Sequence, residues 1–347
     1  MGRMLNCGKK TLERLFVESD SWRAVVESIN TVRIDGTKPE MMDLEKHAEL
    51  SSVWEIMERD SISIHEGSSV LMQVKQNPNL LIQYPKDLFV LELPSATTNA
   101  YSLNSGVAVF AEDANSPASI AKNSRTVDFT KGHEDSWNRC FSKVKREPRT
   151  PVNSMILIDR YLFRDFRQGI ANLKLILSEI LPDRIKGRFD VLLLFSDGQE
   201  CLDIKVYDMK WFVRLLWNEC KNLRTFDINL EILIINDENK TLWDSTHDRR
   251  IITNYYRVIA SHGFSALGGP EMNMPVWTQT LTIDCAYSGI GEMDETDRFP
   301  VKAYDATLAL LASFARNPGK YEKDYLFYKR GIERFSLESM ENRLIKH

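Results

Sequence analysis

Three things are scarce in this chain: basic excess, long apolar runs and paired cysteines. Its 45 Lys and Arg are outnumbered by 49 Asp and Glu, a formal net charge of -4. No overall field therefore draws it to nucleic acid or to an anionic membrane, and any phosphate-binding surface has to be local. No segment approaches the ~20 apolar residues that a membrane-crossing helix needs. The opening "MGRMLNCGKK" has no apolar signal-peptide core. Gly2 would suit N-myristoylation, but Asn6 stands where that signal needs Ser or Thr. The five cysteines (Cys7, Cys140, Cys201, Cys220, Cys285) are odd in number, widely spaced and without a CxxC pair, which fits neither a disulfide framework nor a zinc site. Cys220 and Cys285 fall on expected buried faces of a helix and a strand, where a thiol packs as a small hydrophobe. The expectation is a reduced, cytoplasmic protein with no transmembrane segment, cofactor or metal. Internal repeats and low-complexity tracts are also missing.

What is present is an ordinary globular composition: 347 residues, 43% hydrophobic and 27% charged, a length that favours two domains over one. Residues 1 to about 60 read as helical, with "SWRAVVESI" amphipathic and Asp43 a cap for the next helix. Strand-like stretches follow at "SSVLMQV", "DLFVLEL" and "GVAVF", giving an α+β module of mixed topology over 1–145. Residues 142–151, "SKVKREPRTP", are basic, carry two prolines and lack apolar periodicity, so the domain boundary is expected there.

Beyond it the alternation becomes regular. "MILIDRYLF" is an apolar strand, and Phe166, Ile170, Leu173, Leu177 and Ile180 recur at helical spacing up to Pro182. "FDVLLLFSD", a helix capped by Asp208, and "FDINLEILIIND" come next. Strand, helix, strand, helix, strand implies parallel crossovers and an α/β fold for 150–347. "QTLTIDCAY" alternates, and the chain is expected to close with an apolar helix over 303–314 and a charged, aromatic helix.

The most informative stretch is Ser245 to Gly263. From His247 it reads H-x-R, then four residues, then Asn254, with Ser261-His262-Gly263 shortly after. On a strand, residues two apart share a face, so His247 and Arg249 point the same way: a nucleophile or proton carrier beside a fixed cation for phosphate. This resembles the H-x-K-x4-D signature and Gly/Ser turn of the phospholipase D superfamily, with Arg249 for Lys and Asn254 for Asp. The strand order from about Asn153 to Tyr287 is similar too, especially to the degenerate phospholipase D-like domain of some microtubule-interacting-and-transport proteins and to small bacterial relatives.

The resemblance implies a phospholipase D-like α/β sandwich over 150–347. It implies a module that binds phosphodiester or phosphate groups, nucleic acid in preference to lipid, through Arg249 and His247. Arg250, Ser261, His262 and Asp159 are expected around them. It also implies homodimerisation or a partner protein, and by analogy a place in bacterial mobile-element or phage defence. If the domain is active, His247 would attack phosphorus, a second histidine (His262 or a second copy's) would protonate the leaving oxygen, and Asn254 would orient His247. That alternative is a dimeric phosphodiesterase or nuclease. A third is a pure interaction module with a relic motif, His247 an ordinary strand-end histidine and Arg249 a solvated charge. Asp159-Arg160-Tyr161 and Ser196-Asp197 end buried strands, where open α/β sheets place ligands, although Asp and Ser also simply make turns there. His133-Glu134-Asp135 cannot all face one ion, and no HExxH spacing accompanies them.

Overall fold

The structure is a computed structural model. It describes residues 3–35, 62–66, 68–114, 116–121, 124–130, 149–198, 200–202, 209–238, 243, 249–261, 263–264, 278–287, 299–316, 325–334 and 336–346. His247, His262, the 133–135 triplet, Asp208, the Asp43 helix and most of the expected boundary lie outside these residues. The chain is α/β, with two sheets among the described residues.

The first sheet has strands β1 (Leu5–Cys7), β2 (Thr31–Ile34), β3 (Ser63–Glu66), β4 (Leu88–Leu91) and β5 (Ala108–Ala111), in the order β3-β2-β1-β4-β5. Every pair is parallel, so the expected mixed α+β topology gives way to a doubly wound arrangement. β4 and β5 are apolar and buried along their whole length because both of their faces are covered. Leu88, Val90, Ala108 and Phe110 meet α1 (Lys9–Glu18) and α2 (Asp20–Ile29). Phe89, Leu91 and Val109 meet α3 (Ser68–Gln76) and its neighbours. "SSVLMQV" is thus a helix, not the expected strand: Leu71 and Val74, three apart, face the sheet while Met72 is exposed. A further helix, α4 (Ser95–Ser105), leads into β5.

The second sheet orders its nine described strands β14-β13-β9-β8-β7-β10-β11-β12-β6. Its centre is the expected parallel set, β7 (Ser154–Ile158), β8 (Phe189–Ser196) and β9 (Ile228–Ile235). Helices α5 (Phe166–Ile180) and α6 (Met209–Cys220) make the crossovers and cover one face. Side chains such as Leu192, Leu194, Leu233 and Ile252 meet α7 (Phe299–Arg316) and α8 (Arg343–Lys346) on the other. Antiparallel strands β10 (Arg249–Thr253), β11 (Tyr256–Ala260) and β12 (Thr278–Cys285) extend one side. β6 (Arg125–Thr130) precedes the expected boundary yet pairs with β12, so among the described residues the last strand of the first sheet ends at Ala111. On the other side, the expected last helix is instead a hairpin, β13 (Tyr325–Lys329) and β14 (Ile332–Arg334), followed by the short α8.

The sheets meet in a polar seam. The Tyr255 hydroxyl donates to the Asp87 carbonyl (2.5 Å) and accepts the Ala108 N–H (3.0 Å). Gly106 closes α4 at φ +67, where a β-carbon would stand 2.3 Å from the Val152 carbonyl oxygen; only glycine lets the two backbones approach so closely.

Candidate functional site

Arg249 opens β10. Because β10 runs antiparallel to β7, with Arg250 opposite Ile158, Arg249 stands at the carboxyl ends of β7, β8 and β9. There it meets the groups that follow β7: its guanidinium lies 5.4 Å from the centre of the Tyr161 ring. Gly263, at φ +86, packs against both neighbours; a β-carbon there would sit 2.9 Å from the Asp159 Oδ2 and 3.4 Å from the Arg249 Cγ. Asp159 itself is fully buried. One of its oxygens accepts the Tyr161 N–H (2.9 Å) and the other the Phe264 N–H (2.6 Å). Its place in the expected ligand set becomes a positioning role: it ties the Gly263-Phe264 turn and the Tyr161 loop to β7.

Arg160 completes the edge. It pairs with Asp237, which follows β9, at 2.7 Å, and its guanidinium lies 5.6 Å from the centre of the Tyr161 ring and 5.8 Å from that of Trp243. The Asp237 carboxylate also accepts the Ser196 hydroxyl (2.6 Å) and the Cys201 thiol (3.3 Å). Burial would raise the Asp237 pKa, but the bonds from Ser196, Arg160 and Cys201 outweigh it and hold the carboxyl below its ordinary value. The same site pushes Cys201 up to about 11, by burial first and by its bond to Asp237 second, so it stays a thiol and donates. Asp197 accepts the Asp237 N–H and is raised, mainly by burial. Arg160 is therefore charge-balanced. Arg249 is not: among the described residues it has no carboxylate partner.

The expected residues separate along and across the sheet. Arg250 alternates onto the opposite face, where it donates to Thr307 of α7 (2.8 Å), so Arg249 and Arg250 do not converge. Ser261 is at the right edge but exposed, its Oγ accepting the Thr280 N–H (3.1 Å) where β11 and β12 part. Asn254 is a correction. It lies five residues from Arg249, roughly 17 Å at about 3.4 Å per strand residue, at the amino ends of β7–β9. It is fully buried, accepts the N–H groups of Asn153 (2.9 Å) and Ser154 (3.1 Å), and donates to the Pro85 carbonyl (2.6 Å) and the Asn153 Oδ1 (2.8 Å). Those four bonds use up the amide in the seam, so Asn254 does not orient a histidine next to Arg249.

Sequence reasoning missed Asp237 and Cys201. Asp237 carried the same signal as Asp159 and Asp197, an acid just past a buried strand. Cys201 carried none. A cavity of about 520 Å³ lies elsewhere, at the seam, between α4, residues 149–152 and the end of α5. Three cations line it: Arg149, paired with Asp183; Arg224, bonded to four backbone carbonyls; and the exposed Arg184. No protein-family model matches the chain, and no curated protein matches it.

Proposed function

We propose that the carboxyl edge of the second sheet binds the phosphate groups of nucleic acid, with Arg249 as its principal cation, and that this half is a degenerate phospholipase D-like module that binds rather than cleaves. The observation that carries the reading is Arg249 itself: a partly buried guanidinium braced on Tyr161, without a carboxylate partner among the described residues. A guanidinium held by an aromatic face keeps its N–H fork for a ligand and loses little entropy on binding. Binding rather than turnover follows from Asn254, whose side chain is spent about 17 Å away in the seam. The resemblance adds self-association or a partner protein to this proposal.

The test is the anisotropy of a labelled oligothymidylate titrated with the full chain at two salt concentrations. Arg249→Gln should weaken binding by roughly 10- to 100-fold, the worth of about 1.5–3 kcal/mol for a charge-assisted contact. Equal affinity of variant and parent would leave the edge without a function.

A further inference from the structure

We infer that Arg160 is a second cation of this site and that the ligand is a strand with successive phosphates, not an isolated phosphate; this rests on the reading of Arg249 above. Both guanidiniums lie close to one ring, Arg249 at 5.4 Å and Arg160 at 5.6 Å from the centre of Tyr161. They are therefore no more than about 11 Å apart, close enough for phosphates of one strand to reach both at once. A lone phosphate fills one guanidinium fork and leaves the other empty.

The pair with Asp237 fixes Arg160 without consuming it. Nε donates to the Asp237 Oδ1 at 2.8 Å and Nη2 lies 2.7 Å from the same oxygen, while Nη1 has no bond among the described residues. The anchor is rigid, since Ser196 and Cys201 donate to that same oxygen. Arg160 is thus aimed but its charge is offset by Asp237, and its share of the affinity is smaller than that of Arg249. Asp237 sets that share.

The experiment compares the full chain with Arg160→Gln, Arg160→Lys, Asp237→Asn and Arg249→Gln. The probe is a labelled oligothymidylate of about eight nucleotides, within the usual site size of a single-strand groove, with inorganic phosphate as competitor. Arg160→Gln should lower oligonucleotide affinity roughly fivefold and reduce the slope of log K against log salt by about 0.7, the value of one phosphate contact on a single strand. The competition constant of inorganic phosphate should stay at the parent value. Arg160→Lys should recover the salt slope, and Asp237→Asn should raise oligonucleotide affinity by freeing Arg160. If Arg160→Gln keeps the parent slope while Arg249→Gln loses it, the second cation is refuted and a single-phosphate site remains. Should Arg160→Gln fail to melt cooperatively, Asp237→Asn decides: unchanged affinity refutes the second cation. Equal binding by all the proteins refutes both readings.

Discussion

The two ends of the second sheet's parallel core use similar residues in opposite ways. At the amino end, Asn254 is buried with all four of its amide bonding positions taken, and the Tyr255 hydroxyl both donates and accepts. At the carboxyl end, Arg249 stays partly exposed beside Tyr161, and Arg160 Nη1 has no bond among the described residues. A buried polar group must be satisfied by the fold, because an unmade bond there costs about 1–3 kcal/mol. A partly exposed cation is satisfied by water until a ligand replaces the water. Asn254 and the Tyr255 hydroxyl, whose bonding capacity the fold itself takes up, mark the seam as structure, and the leftover capacity of Arg249 and Arg160 marks the opposite edge as the place for a ligand.

The largest effects should come from the seam. Gly106→Ala combines a positive φ with a β-carbon 2.3 Å from a backbone oxygen of the other sheet. It should cost more than about 4 kcal/mol or prevent folding, read from urea unfolding and soluble yield. Asn254→Asp comes next. The carboxylate would lose the two donor bonds and face the Pro85 and Asn153 oxygens, a buried uncompensated charge worth about 3–4 kcal/mol of stability. A variant as stable as the parent would mean that the seam is not what holds the sheets together.

A pH effect of similar or smaller size should come from Glu231 on β9, fully buried under the C-terminal segment and accepting the N–H groups of Glu341 and Asn342. Burial is the largest cause of its shift and, with the Asp190 charge, outweighs those bonds and Lys329, pushing Glu231 from 4.5 up to about 7. The folded state therefore keeps a proton that the unfolded chain has released. Stability from this group is complete below about 4.5 and is lost as pH rises to about 7, on the order of 3 kcal/mol. Unfolding free energies across that window should fall with rising pH in the parent, and Glu231→Gln should flatten the slope. The smallest effect on stability should come from Arg249→Gln, within about 0.5 kcal/mol, as for an exposed charge.

Periodicity made the centre of the second sheet legible. The apolar runs of β7, β8 and β9 and the stripe of α5 name a parallel core, and with it the strand ends where Asp159, Arg160 and Ser196 stand. Other elements were hidden because a short apolar run obeys both periods. Residues 68–74 became part of α3 since Leu71 and Val74, not alternate residues, reach the sheet. The β13–β14 turn is Arg330-Gly331, both at positive φ, a two-residue turn that the sequence does not flag with Asn or Asp. At the site, alternation along the strand correctly sets Arg249 apart from Arg250, whereas the spacing to Asn254 misled: five strand residues carry a side chain from one edge of the sheet to the other. The pairing of Arg160 with Asp237 joins β7 to β9, and nothing local announces it.

The division between the two ends is tested most directly by measuring oligonucleotide affinity and thermal melting together for Arg249→Gln and Asn254→Ala. The account predicts that Arg249→Gln melts with the parent but binds roughly 10- to 100-fold more weakly. It predicts that Asn254→Ala melts lower by several degrees, as expected for a loss of about 2 kcal/mol, yet binds like the parent wherever it is folded. Parent-like binding by Arg249→Gln, or loss of binding by folded Asn254→Ala, would contradict it.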